Sequence, residues 1–192
     1  MRTLVSLSIV LLAACSPEPA AEPTVADEWQ VLFDGETLDG WEPRGDARWI
    51  VEEDYLTTVP GTGDGFLTTT REFTDFRVRV QFWADSTANG GIYLRIPPSG
   101  PEVTPSYEVN VMDSHPEWPT GSINGVALYD GANTVGEWAE FEITVRGDRV
   151  SVLLDGEPVA EGEAVRSDRG RIAIQKLGDG VIRYRNISVV PL

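Results

Sequence analysis

The stretch Arg77-Val78-Arg79-Val80-Gln81-Phe82-Trp83 alternates apolar and polar side chains without interruption. Successive side chains of an extended backbone point to opposite faces. Val78, Val80 and Phe82 therefore share one face, and Arg77, Arg79, Gln81 and Trp83 the other; a helix would scatter both sets around its circumference. The stretch predicts a half-buried strand. The same period recurs at 92–96, 107–112, 141–145, 150–154 and 172–175, and no segment offers an amphipathic helix. Asp34-Gly35, Asp39-Gly40, Gly147-Asp148 and Asp155-Gly156 supply turns between such runs, the last pair being a strong two-residue hairpin signal. Many short antiparallel strands with one dry face each predict an all-β protein, a two-sheet antiparallel β-sandwich.

Before the first of these runs the chain reads differently. Met1 and Arg2 are followed by an apolar run from Leu4 to Ala14, broken only by Ser6 and Ser8, and then by Cys15. Spanning a bilayer takes about 20 apolar residues, so the run predicts a signal peptide rather than a membrane helix. Leu12-Ala13-Ala14-Cys15 resembles the bacterial lipobox, which implies cleavage before Cys15 and acylation of that residue. The alternative is an ordinary signal peptide with a cysteine at its cleavage point; that Cys15 is the only cysteine of the chain favours lipidation. Ser16, rather than Asp, resembles the outer-membrane form of the sorting signal. The segment 17–27, rich in Pro, Ala and Glu, reads as a solvated tether. The expected organisation is a lipoprotein signal peptide at 1–14, a lipidated cysteine and flexible tether at 15–28, and one sandwich domain at 29–192. Such a chain is exported and anchored to a membrane through lipid on Cys15, in the outer membrane or periplasm. With one cysteine it has no internal disulfide, so core burial must stabilise the domain.

The net charge of -16 over 192 residues argues against nucleic acid and against an anionic bilayer surface as partners. Lys176 is the only lysine among 15 basic residues. An Arg bias suits planar, bidentate contacts, and base composition of the gene produces the same bias.

Strict alternation also says which polar residues share a face. With Ile92, Leu94 and Ile96 inward, Tyr93 and Arg95 face out; with Val109 and Val111 inward, Glu108 and Asn110 face out; Arg171, Ala173 and Gln175 form a third outward set. If these strands are neighbours, Tyr93, Arg95, Glu108, Asn110 and Gln175 make one aromatic and polar patch. A sugar suits it, because its ring face stacks on an aromatic and its hydroxyls need paired donors and acceptors. The plainer reading is the solvated half of amphipathic strands. The loop after residue 111 holds Asp113, His115, Glu117 and Trp118, including the chain's only histidine. Asp113 and His115, with Glu117 nearby, are candidate ligands for a divalent metal, or an acid and base near neutral pH. No cofactor is otherwise implied. Asn89-Gly90-Gly91 and Thr120-Gly121-Ser122-Ile123 would let a ligand approach the backbone.

An ordered set of motifs carries a family resemblance. Leu32-Phe33-Asp34-Gly35 through Leu38-Asp39-Gly40-Trp41, then Asp75-Phe76-Arg77-Val78, Asn89-Gly90-Gly91-Ile92-Tyr93-Leu94-Arg95, Tyr107-Glu108-Val109-Asn110-Val111-Met112-Asp113, Gly136-Glu137-Trp138, Gly170-Arg171-Ile172-Ala173-Ile174-Gln175 and Tyr184-Arg185-Asn186-Ile187 follow one another in sequence. Together they resemble the 3-keto-disaccharide hydrolase domain family, over residues 29–192. Two positions depart from it: the family often has Gln where Asn110 stands, and a His-Gly soon after Gln175, where this chain reads Lys176-Leu177-Gly178.

The resemblance implies a concanavalin A-like jelly roll and action on 3-keto-glycosides by removal of the C2 proton, elimination and hydration. On this expectation Glu108 is the base, Arg95 with Asn110 or Gln175 stabilises the enolate, and His115 or Asp113 is the acid or a metal ligand. Tyr93, Asn110, Gln175 and Trp118 would bind substrate. The competing expectations are a non-catalytic carbohydrate-binding lipoprotein and a partner-binding envelope protein.

Overall fold

A computed structural model describes residues 28–97, 106–163 and 167–192. The expected signal peptide, Cys15 and the tether up to residue 27 lie outside the described residues. Among the described residues there are thirteen strands and no helix.

The strands are β1 (Gln30–Val31), β2 (Trp41–Gly45), β3 (Trp49–Glu52), β4 (Tyr55–Thr58), β5 (Gly65–Thr69), β6 (Phe76–Ala84), β7 (Asn89–Ile96), β8 (Tyr107–Val111), β9 (Trp138–Arg146), β10 (Arg149–Leu154), β11 (Glu157–Glu163), β12 (Arg171–Leu177) and β13 (Ile182–Pro191). They form an eight-stranded sheet, β11-β10-β9-β6-β13-β4-β3 with β1 also on β13, and a five-stranded sheet, β2-β5-β12-β7-β8. All pairings are antiparallel.

β6 lies inside the larger sheet between β9 and β13, as its alternation requires. Phe76, Val78, Val80, Phe82 and Ala84 are buried while the residues between them are half-buried. Val80 pairs with Phe141, and Phe82 stacks on Phe141 with ring centroids 4.6 Å apart. Ile92, Leu94, Val109, Val111, Ile172 and Ile174 of the smaller sheet join the same buried cluster, so the two sheets face each other across one core. The chain is thus the expected two-sheet, concanavalin A-like sandwich. Asp155 and Gly156 both have positive φ (50° and 84°) and close the β10–β11 hairpin in the way an Asp-Gly pair favours.

The outer face of the larger sheet shows what its arginines do. Arg79 lies over Trp29, Arg183 over Trp83 and Arg185 over Trp138, at 4.1, 4.6 and 3.9 Å from the ring centroids. These guanidinium planes cover aromatic rings that would otherwise face water, a contact Lys makes less well.

One strand breaks the alternation. Arg95 has φ 61°, and the β7–β12 register slips by one residue between the pairs Tyr93–Ala173 and Ile96–Arg171. This is a β-bulge with Arg95 as part of the extra residue, and it turns the following side chain to the other face. Ile96, expected inward, packs on the outer face beside Tyr93 and Ala173, and Arg95 is withdrawn from that face.

Candidate functional site

The register of the five-stranded sheet sets two rows across its outer face. Glu42, Thr68, Ala173, Tyr93 and Glu108 form one, and Arg44, Phe66, Gln175, Gly91 and Asn110 the next. Phe66 meets Tyr93 edge-on at 5.1 Å and 89°, and with Ile96 and Ala173 they make a small apolar cluster separate from the main core. An aromatic floor with one polar end is the result.

At that end Glu108 is held by two neighbours. Asn124 Nδ2 donates to Glu108 Oε2 at 2.6 Å, and the Tyr93 hydroxyl is a side-chain hydrogen-bond partner of the same carboxylate. Gln175 Nε2 in turn donates to the Tyr93 hydroxyl at 3.2 Å. Gly91 makes the packing achievable: a Cβ there would stand 2.9 Å from Glu108 Oε1 and 3.1 Å from its Cγ. Asn124 reaches the site because its backbone N–H donates to the Glu108 carbonyl, which lays the 120–124 segment alongside β8.

Burial pushes the Glu108 carboxyl above the ordinary carboxylate range, against the opposing pull of hydrogen bonds from Tyr93 and Asn124. Burial also raises the Tyr93 phenol, and the adjacent Glu108 carboxylate raises it further. Tyr93 therefore stays a donor while Glu108 is a carboxylate of increased basicity.

Several polar atoms on this face have no partner. Gln175 Oε1, Thr68 Oγ1, Asn124 Oδ1 and Arg171 Nε are buried and make no hydrogen bond. Each such group costs about 1–3 kcal/mol relative to a satisfied one.

Tyr93, Glu108 and Gln175 come together as expected; the other expected residues are placed differently. Arg95 does not share the face of Tyr93: its guanidinium is 1 % exposed and donates to the carbonyls of Thr74, Gly147 and Ser167 and to Asp75 Oδ1 at 2.6–3.3 Å. It ties the β9–β10 turn to the start of β6 and does not reach the enolate position assigned to it. Asn110 lies on the expected face but beneath the following loop, its Nδ2 donating to the Trp118 carbonyl. That amide positions the loop instead of standing free for a sugar.

Asp113 accepts from Thr134 N, Thr134 Oγ1 and Val135 N at 2.6, 2.9 and 3.2 Å. It clamps two loops together. His115 accepts through Nδ1 from the backbone N–H groups of Glu117 and Trp118 at 3.2 and 2.9 Å. Glu117 is exposed and the Trp118 ring half-buried. Among the described residues no group of three or more His, Cys, Asp or Glu could hold a metal ion, and Asp113 and His115 are turned to separate backbone partners.

A known family covers the whole described domain. Residues 28–190 match the model of the 3-keto-alpha-glucoside-1,2-lyase-like domain. The chain belongs to that family. It is 26% identical over 172 residues to a 3-keto-disaccharide hydrolase of Bacteroides thetaiotaomicron, a match covering 70% of this chain and 58% of the relative. The family member thus spans little more than half of that relative's length.

Its sandwich is similar to a structure from Parabacteroides distasonis provisionally named a glycosyl hydrolase (TM-score 0.73, 17% identity, 85% of this chain and 94% of that one). It is also similar to a carbohydrate binding module from Bacillus subtilis (TM-score 0.64, 18% identity, 79% and 95%). Family match and sandwich agree on the fold.

Proposed function

We propose that this protein cleaves 3-keto-glycosides by elimination across C1 and C2 of the oxidised sugar, followed by hydration. The observation that carries the reading is Glu108, a carboxylate made more basic by burial, beside a phenol that keeps its proton, on an aromatic floor with unpaired acceptors. The family description, which names a 1,2-lyase-like domain acting on a 3-keto-glucoside, supports it.

A C3 ketone acidifies the C2 proton. Glu108 takes that proton, and the electron pair moves into an enolate whose charge rests on the C3 oxygen. The amides of Gln175 and Asn124, whose nitrogens already reach Tyr93 and Glu108, are the donors this reading assigns to that charge. Collapse of the enolate forms the C1–C2 double bond and expels the glycosidic oxygen from C1. Once protonated, Glu108 no longer holds the Tyr93 hydroxyl by charge, and Tyr93 donates to the departing oxygen. Water then adds across the double bond, so the net change is hydrolysis. Matching a base to the working pH contributes typically 10²–10⁴-fold, which is what Glu108 is asked to supply.

A second reading, sugar binding without turnover, is favoured by the Phe66–Tyr93 floor, which would hold a sugar ring with no chemistry at all. Incubating the full chain with a 3-keto-disaccharide and with its unoxidised parent separates the two. Release of sugar from the keto compound alone, lost in Glu108→Gln while that variant stays folded, supports the enzyme; binding without release in the unmodified protein supports the second reading. We further propose that lipid on Cys15 anchors the protein outside the cytoplasm. Loss of fatty-acid labelling in Cys15→Ser would agree with this, and labelling that persists would refute it.

A further inference from the structure

The motif Asn89-Gly90-Gly91 opens both faces of β7 at once. A Cβ at Gly91 would crowd Glu108 on the outer face, and a Cβ at Gly90 would stand 2.8 Å from the Tyr184 hydroxyl on the core side. Tyr184 belongs to β13 of the larger sheet and is fully buried. Its ring crosses the core, and its hydroxyl donates to the Gln175 carbonyl at 2.7 Å. The backbone N–H of Gly91 approaches the same oxygen. Gly91 and Gln175 are cross-strand partners in the β7–β12 pair, so one phenol from the opposite sheet sits against the backbone of both. These two residues back the proposed acid and base. Gly91 packs on the Glu108 side chain, and Gln175 Nε2 donates to the Tyr93 hydroxyl.

We propose that Tyr184 is a positioning residue for the Tyr93–Glu108 pair, acting from the core side of the sheet through the backbones of Gln175 and Gly91. The inference rests on the reading of Glu108 and Tyr93 as base and acid, and adds a residue that touches neither the substrate nor the reacting atoms. The Gln175–Tyr93 bond, at 3.2 Å, is already at the long end for a hydrogen bond, so a small shift of residue 175 breaks it. Donation by Gln175 polarises the Tyr93 phenol and strengthens its own donation to Glu108. Without the Tyr184 hydroxyl, the Gln175 carbonyl loses the buried donor that fixes its place. Filling the core alone would need no hydroxyl at this position.

The test uses the full chain and reads the Glu108 carboxyl by NMR titration without substrate, with turnover of a 3-keto-disaccharide measured in parallel. In Tyr184→Phe the weakened Tyr93 bond favours the ionised carboxylate less, so the Glu108 titration should move to higher pH, by less than in Tyr93→Phe. Turnover should fall on the order of tenfold through kcat with KM unchanged, less than the roughly 10²-fold of an ångström's displacement. Tyr93 and His115 are the other titratable groups that act on Glu108, and neither is changed. Added to Tyr93→Phe, the same substitution should produce no further shift, because the path runs through Tyr93. Trp49→Phe is the packing control: Trp49 faces Tyr184 with ring centroids 6.4 Å apart, and its Nε1 has no partner to lose. It should lower stability and leave the titration in place. An unmoved titration in Tyr184→Phe, a shift that persists undiminished on Tyr93→Phe, or an equal shift in Trp49→Phe would overturn the role. In the unmodified protein the Tyr184 Cζ resonance should move as Glu108 titrates, since coupling between two sites is reciprocal. A fixed resonance overturns the coupling even where Tyr184→Phe does not fold. Turnover with an unmoved titration removes only the positioning role, and a moved titration without turnover removes only the cleavage reading.

Discussion

Tyr93 and Glu108 are direct cross-strand partners on the outer face of the five-stranded sheet, and their side chains share a hydrogen bond. Each acts on the other's proton: the carboxylate keeps the phenol protonated, and the phenol keeps the carboxylate ionised to a lower pH than burial alone would allow. The pair is set by register, so its geometry depends on the sheet rather than on a loop.

Removing the phenol hydroxyl therefore has a predictable sign. In Tyr93→Phe the carboxyl of Glu108 loses a hydrogen bond that favours its ionised form, and its pKa rises. The acid limb of the pH profile for 3-keto-disaccharide cleavage should move to higher pH, and the plateau should fall by about 10²-fold or more through loss of the proton donor. Asn124→Ala should move the limb in the same direction with a smaller fall in the plateau. A limb that stays put in both variants would mean that Glu108 is not the titrating base.

Stability should carry the same signature. The folded pKa of Glu108 is raised above its ordinary 4.5, so between those two values the native state binds more protons than the unfolded one. Stability contributed at this site is present below about pH 4.5 and is lost as pH rises through the folded pKa. Glu108→Gln does not titrate. Relative to the unmodified protein, the variant should gain stability on going from pH 4 to pH 7, as read by denaturant midpoints at both values.

What alternation could and could not reveal follows from these residues. Tyr93, Glu108 and Gln175 were legible because their strands keep a period of two and because Val109, Ile92 and Ile174 fix which side is dry. Arg95 was misplaced because one residue with positive φ reverses a face, and a non-glycine residue gives no sequence sign of it; only the prolines at 97 and 98 marked the strand's end. Asn124 was invisible for another reason. Its segment has no alternation, and it reaches Glu108 only because residues 120–124 pair beside β8. Gly91 was readable as a place of close approach, but not that a carboxylate is what approaches. Asp113 looked like chemistry in one dimension because its partners, Thr134 and Val135, lie 21 and 22 residues away.

The corrected place of Arg95 makes a separate prediction. Its guanidinium is enclosed by three carbonyls and Asp75, so Arg95→Leu leaves acceptors without donors and should destabilise the domain by about 3–5 kcal/mol. Arg95→Lys should recover little, because one ammonium cannot reach acceptors arranged around a planar fork. The fraction of either variant that remains folded should cleave substrate with an unshifted pH profile. A shifted profile would return Arg95 to a part in the chemistry.

Gly91 offers the most selective test of the site, because it separates the position of Glu108 from its identity. A methyl group at residue 91 would lie 2.9 Å from Glu108 Oε1, 3.1 Å from Cγ and 3.2 Å from the Val109 carbonyl. The carbonyl belongs to the sheet and cannot yield, whereas the carboxylate is the far end of a side chain and can. Gly91→Ala should therefore displace Glu108 from Asn124 and Tyr93 while the strands stay paired, at a cost of about 1–3 kcal/mol for the overpacked site. Displacement by about 1 Å is enough to lower turnover on the order of 10²-fold. Sugar binding to the Phe66–Tyr93 floor should change far less, since Phe66 lies on the other side of Gln175 from Gly91 and the Tyr93 ring keeps its edge-on contact with Phe66. If binding and turnover fall together, the methyl group has disturbed the whole face; if turnover alone falls, the placement of one carboxylate is what the glycine protects.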